Sequence, residues 1–254
     1  MEYAVDIKGL TKDFGTKRAV DSISLSIRKG ELLALLGVNG AGKTTTIRML
    51  SGLSRPSGGD AYVMGNSITG ALVWVKRCSN LSPQETAAAP NLTVQENLQF
   101  MARIYGASKE DARMRADALM EQWGMTEIAE KKAKLLSGGF QRRLSIAMAL
   151  ITKPKILYLD EPTLGLDVLA RRELWKMIDG LKGSVTIILT THYMEEAEAL
   201  SDHVAVMMNG TVKAYGSVEE LKAETGKDTL EEAFIAIADQ EICMKKIGYE
   251  EDRK

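Results

Sequence analysis

The spacing of hydrophobic and polar positions changes character twice along the chain. Val20–Ile27 places Val20, Ile23, Leu25 and Ile27 among polar neighbours, which predicts a half-buried strand. Leu32–Leu36 is an unbroken apolar run ending at Gly37, the pattern of a strand covered on both faces. Gly58-Gly59 and Gly65-Asn66 bracket Ala61–Met64 as another strand. The chain up to about residue 80 therefore reads as short strands separated by turns. From about 90 to 153 the period becomes helical. Thr93-Val-Gln-Glu96 is a capping box that opens a helix through about Tyr105, closed by Gly106. Ser108-Lys-Glu-Asp111 resembles a second capping box, with its helix ending near Trp123-Gly124. A third helix spans about Gly138 to Thr152, with Leu144, Met148, Leu150 and Ile151 on its apolar face and Pro154 beyond its end. Strands return at Ile156–Leu159, Val185–Thr190, Val204–Met208 and Val212–Tyr215, with a helix between the first two.

This alternation predicts an α/β core, residues 1–89 and 154–216, interrupted by a helical subdomain over 90–153. Residues 217–254 read as a charged helical tail forming a solvated cap. There is no internal repeat and no low-complexity tract.

Composition narrows the classes further. At 254 residues, 45% hydrophobic and 26% charged, the chain has ample material for a core and is too apolar for disorder. Lys plus Arg number 33 against 34 acidic residues, so the net charge of −1 gives no general attraction to nucleic acid or anionic lipid. Cys78 and Cys243 make no CxxC pair, and His192 and His203 are the only histidines, which excludes a disulfide framework and a His-rich metal site. A reducing compartment follows. Charges in Met1-Glu-Tyr-Ala-Val-Asp6 stand where a signal peptide needs apolar residues. The apolar runs Leu32–Leu36 and Val185–Leu189 fall far short of the roughly 18 residues that span a bilayer.

Chemistry enters at Gly37-Val-Asn-Gly40-Ala-Gly42-Lys43-Thr44, which matches G-x-x-x-x-G-K-[ST] between a buried strand and the helical run Thr45–Leu50. Glycines let such a loop turn its N–H groups toward phosphate oxygens, and the following helix adds its positive end. Lys43 then reaches the β- and γ-phosphates and Thr44 ligates Mg²⁺. Ile156-Leu-Tyr-Leu-Asp160-Glu161-Pro162 is an apolar strand ending in two acids. Beside a P-loop, Asp160 is expected to hold Mg²⁺ and Glu161 to orient and deprotonate the attacking water.

Leu136-Ser137-Gly138-Gly139-Phe140 precedes a helix and offers a hydroxyl and free N–H donors, another anion site or an ordinary N-cap. In this order the chain resembles the ATP-binding subunit of ABC transporters over about residues 3–235, and Leu136–Phe140 stands in place of that family's Leu-Ser-Gly-Gly-Gln signature. The resemblance extends to the bacterial export type (ABC-2-like), through Gly139-Phe-Gln-Arg-Arg143 and Thr229-Leu-Glu-Glu-Ala-Phe234. It implies a P-loop NTPase fold, RecA-like with an antiparallel β subdomain and an inserted α-helical subdomain.

The resemblance also assigns roles. Phe14 stands where an aromatic stacks on adenine, and Gly37, Asn39, Gly40, Ala41, Gly42, Lys43, Thr44 and Thr45 surround the phosphates. Gln84, in Ser82-Pro-Gln-Glu85, joins Thr44 and Asp160 at the metal and serves catalysis. His192 resembles the switch histidine at the γ-phosphate, and Gly165-Leu-Asp167 the D-loop. Ser137, Gly138, Gly139 and Asp167 contact ATP held by a second ATPase subunit, in a homodimer or with a paralogue. A separate transmembrane permease is expected to dock around residues 78–105, with the chain peripheral at the cytoplasmic face of the cell membrane. Phe140 in place of the signature Gln and Phe14 in place of the more usual Tyr are departures that leave the phosphate donors and the aromatic face intact. A soluble ATPase serving iron–sulfur cluster assembly is the competing reading. No Asn-Lys-x-Asp guanine reader exists, which argues against a GTPase.

Overall fold

The computed structural model describes residues 3–239; Cys243 and the expected tail beyond 239 lie outside the described residues. An antiparallel sheet contains β1 (Tyr3–Phe14), β2 (Lys17–Arg28), β4 (Gly58–Val63) and β5 (Asn66–Ser67), in the order β2-β1-β4-β5. A second sheet holds β3 (Leu32–Leu36), β6 (Ser79–Ser82), β7 (Ile156–Asp160), β8 (Thr186–Thr191), β9 (His203–Met208) and β10 (Thr211–Gly216). Its order is β10-β9-β3-β8-β7-β6, all parallel except β10 at the edge.

The apolar run of β3 lies at the centre because both its faces are covered. Leu33 and Leu35 join Tyr158, Ile188 and the antiparallel-sheet residues Leu10 and Ile27 in one core cluster. That cluster also takes Ile47 and Met49 of α1 (Lys43–Leu50). Leu32, Ala34 and Leu36 point the other way, to Leu157, Leu189 and the helical side. There lie α3 (Val94–Ile104), α4 (Lys109–Gln122), α5 (Gly138–Leu150), α6 (Val168–Asp179) and α7 (Met194–Leu200), contributing Leu98, Ala116, Leu144, Ile178 and Leu200. Strand periodicity of two, buried on both sides, yields three layers.

Several expectations change. The early strands are not short: β1 and β2 each run 12 residues as a twisted pair broken by register shifts. A helix, α2 (Leu72–Cys78), sits within the strand-rich stretch. Its Leu-Val-Trp-Val sequence favours strand by propensity, and it buries Val75 with no side-chain cap at its start. Ser108 caps α4 by accepting from Asp111 N–H, which is half of the expected capping box; the Asp111 carboxylate turns instead to Arg115. The tail as far as residue 239 is not a solvated cap. Helix α8 (Val218–Thr225) opens with a Ser217–Glu220 capping box, ends at the left-handed Gly226, and buries Leu221. Residues 230–239 are helical and sink Leu230, Ala233, Phe234 and Ile237 into the molecule. Their spacing of three, four and seven is that of an amphipathic helix.

Parallel pairing brings the carboxyl ends of four strands to one edge. Leu36 faces Thr191, Asp160 faces Thr190 and Ser82 faces Leu159. The loops leaving β3, β6, β7 and β8 therefore converge, the usual place for a ligand in an open α/β sheet.

Candidate nucleotide site

The loop from β3 to α1 turns sharply on glycines with distinct duties. A Cβ on Gly37 would lie 2.3 Å from the Met207 carbonyl oxygen, and its N–H donates to Thr191 O at 3.3 Å. Gly37 is thus a packing position, outside the cleft lining. Gly42 has φ 103°, and a Cβ there would come 2.7 Å from Ala19 O. The helical ladder begins only with Thr46 N–H onto Gly42 O, 2.9 Å, so the first N–H groups of α1 precede it.

A cleft of about 540 Å³ opens over this loop. Asn39, Gly40, Ala41, Gly42, Lys43, Thr44 and Thr45 form its floor; Phe14, Gln84, Glu161 and His192 complete it, with Lys17, Ala19 and Leu164. The Lys43 side chain is 4% exposed, with Nζ donating to Gly37 O at 2.7 Å and Val38 O at 3.2 Å. Burial pulls its pKa down, and the negative charges of Glu161 and Asp160 work against that pull. Thr44 Oγ1 donates to Asp160 Oδ1 at 2.8 Å, and Thr190 Oγ1 donates to the same oxygen at 2.6 Å.

Glu161 follows β7 in the left-handed region, φ 47°. Its N–H donates to Thr190 O at 3.1 Å and Oγ1 at 3.0 Å. One carboxylate oxygen lies 3.5 Å from Lys43 Nζ and the other 2.7 Å from His192 Nδ1. The histidine contact is close but not aligned as a hydrogen bond. Phe14, at the end of β1, is 54% exposed and has Lys12 Nζ 5.0 Å from its ring centroid.

The remaining expected residues lie elsewhere on this chain. Ser137 is the N-cap of α5 in position only; its side chain makes no capping bond, and Ser137 and Gly138 are exposed. Gly138 and Gly139 pack near Leu166 and Ala170, at the start of α6. Asp167 is the N-cap of α6, accepting from Leu169 N–H at 3.0 Å and Ala170 N–H at 2.9 Å. Phe140 lies under the Arg143 guanidinium at 4.9 Å, so the ring in the signature faces its own chain.

Besides Lys17, Ala19 and Leu164 of the cleft lining, two residues that organise the site escaped sequence reasoning. Thr190 organises both acids, yet a threonine ending a β-branched strand carries no distinguishing signal. Arg142 Nη1 donates to Pro83 O at 2.7 Å and Nη2 to Gln84 O at 2.6 Å. Within Arg142-Arg143 nothing in the sequence marks which arginine is buried.

Comparison with known proteins identifies the family and the fold. The ABC transporter family model matches residues 20–164. The chain is 40% identical over 231 residues to the daunorubicin resistance ATP-binding protein DrrA3 of Streptomyces coeruleorubidus, covering 91% of this chain and 73% of that one. It is 41% identical over 229 residues to the Nod factor export ATP-binding protein I of Ralstonia nicotianae, covering 89% and 71%. Among solved structures it resembles an ATP-binding subunit of an ABC transporter, with TM-score 0.83, 27% identity, and 92% and 99% of the two chains covered. It also resembles a dimeric ATP-binding cassette in a post-hydrolysis state bound to ADP and Pi, with TM-score 0.76, 26% identity, and 84% and 98% covered. The chain belongs to the ABC transporter family, as an ATP-binding subunit with ATPase activity.

Proposed function

We propose that this subunit hydrolyses ATP in a composite site and powers export through a separate membrane permease. The observation that carries this is the placement of Glu161 between Lys43 and His192 at the mouth of the phosphate loop. Phe14 offers a flat exposed face to adenine, and the loop from Asn39 to Thr45 takes the phosphates. Lys43 meets the β- and γ-phosphates. The Thr44 and Asp160 oxygens, already joined, are the hard donors that suit Mg²⁺, with Gln84 as a third. When bound, that ion neutralises charge on the β- and γ-phosphate oxygens. Glu161 accepts a proton from water as the water oxygen attacks the γ-phosphorus. The bond from that phosphorus to the bridging oxygen breaks, and ADP departs with the electron pair. His192 holds the γ-phosphate.

Ser137, Gly138, Gly139 and Asp167 lie outside the chain's own cleft, with the Ser137 hydroxyl uncommitted to its helix. They would complete the site of a second subunit, so the γ-phosphate bridges two chains and hydrolysis opens them. The core, 1–89 with 154–216, would carry the nucleotide, and 90–153 the signature. Around 78–105, Phe100 and Ile104 are exposed beside Leu92 and Arg103, and Trp74, 59% exposed, stands just outside that stretch. Such a surface suits permease docking, and no helix among the described residues is long and apolar enough to cross a membrane. The names of the relatives, drug resistance and Nod factor export, favour export over import.

The test is extraction of the native protein in mild detergent and mass spectrometry of what co-purifies. A polytopic membrane protein in stoichiometric amount is expected. Only soluble partners would favour the soluble ATPase of iron–sulfur cluster assembly instead.

A further inference from the structure

We propose that Arg142 is a positioning residue for hydrolysis, locking the Gln84 loop and the Glu161 backbone to the helix that begins with the signature. The inference rests on the composite-site reading above. Arg142 lies in the second turn of α5, and its guanidinium reaches two loops from different strands. After β6 it meets Pro83 O at 2.7 Å and Gln84 O at 2.6 Å; after β7 it meets Glu161 O at 3.4 Å. The residue is 8% exposed and, among the described residues, has no ion-pair partner.

Burying a cation against neutral carbonyls is costly, and an apolar side chain would fill the same space more cheaply. Burial lowers the pKa of Arg142, with Asp160 and Glu196 supplying the opposing negative field. What only arginine provides is a planar fork that serves adjacent carbonyls at once and still reaches a third. The Glu161 peptide is thereby held at both ends: its N–H by Thr190, its carbonyl by Arg142. With φ at 47°, that residue occupies a conformation its surroundings must impose. The direction of the Glu161 carboxylate depends on this clamp. A shift of α5 would move Gln84 and Glu161 together.

Arg142 is absent from the cleft lining, so it acts through its neighbours and not on ATP. The effect should therefore fall on turnover and spare binding. The experiment measures kcat for ATP hydrolysis and Kd for a non-hydrolysable ATP analogue, in the full chain. Parent, Lys43→Ala, Arg142→Met and Arg142→Lys are compared. Arg142→Met is expected to lose about tenfold to a hundredfold in kcat, as for a sub-ångström to ångström misplacement. Its Kd stays within about threefold, and Arg142→Lys recovers part of the rate. A kcat for Arg142→Met within about twofold of the parent overturns the proposal, as does a Kd that weakens in step with kcat. If Arg142→Met does not fold, Arg142→Lys decides: reduced kcat with unchanged Kd supports the clamp, parental kcat refutes it. Hydrolysis by the parent and none by Lys43→Ala establishes the ATPase reading separately. An inactive parent would strike that reading rather than the clamp.

Discussion

Lys43 and Glu161 form a buried ion pair across the cleft, Nζ to Oε1 at 3.5 Å. In the proposed mechanism the γ-phosphate would take over the carboxylate's contact with Lys43. The carboxylate offsets part of the cost of burying the ammonium, and an arriving triphosphate supplies a stronger counter-charge. In that mechanism the oxygen facing Lys43 would then be freed toward water while the other stays beside His192, and the two residues would pass from partners to separate roles.

Lys43→Met should separate stability from activity. Hydrolysis disappears, because Lys43 is the ammonium buried against the phosphate loop, whereas Lys17, the other cation of the described cleft lining, comes from β2. The nucleotide-free variant should nevertheless melt above the parent at neutral pH. Burial pulls the pKa of Lys43 below 10.5 in the folded state. Between that lowered value and about 10.5 the unfolded chain holds more protons, so this group makes the parent more stable as pH rises. The advantage of the variant should shrink over that window in paired melting curves. An undiminished advantage at alkaline pH would show that the ammonium is not its source.

Phe14→Ala should weaken ATP binding by about 1–3 kcal/mol, the worth of an aromatic stacked on a base. Phe14→Tyr should leave it nearly unchanged, since the ring face is kept. Titration with a fluorescent ATP analogue reads both, and equal affinities for Ala and Phe would place adenine elsewhere.

Gly37→Ala tests the division of labour among the loop glycines. The added methyl meets Met207 O at 2.3 Å, so β3 and β9 must part. Overpacking of this kind costs about 1–3 kcal/mol. Gly40 has open space around it, with φ 83°, so Gly40→Ala suffers backbone strain without a clash. Urea unfolding of the nucleotide-free chain should find Gly37→Ala the less stable of the two.

The sequence made the site legible where chemistry restricts residue type. Asp160, Glu161 and His192 stand at the ends of β7 and β8, Lys43 and Thr44 open the helix that follows β3, and the parallel sheet brings those strand ends together. Legibility failed where an element depends on its neighbours. Helix α2 reads as strand in isolation and forms beneath the edge of the sheet, where Val75 is buried. Charge around Leu230, Phe234 and Ile237 masked a helical stripe that the structure buries. Asp167 shows a different limit: its carboxylate caps α6 here, and any role toward ATP belongs to a dimer that one chain does not display.

In the composite site, ATP would join this chain to a second ATPase subunit across the Glu161 and Ser137 surfaces. Light scattering on Glu161→Gln at saturating Mg-ATP tests it most directly, because hydrolysis can no longer separate the subunits. The expected mass is twice the 27.8 kDa of the chain, returning to 27.8 kDa when ATP is withdrawn. If a paralogue is the second subunit, that mass appears once the paralogue is supplied. A mass of 27.8 kDa with ATP bound, alone and with every co-purifying ATPase, would contradict the composite site.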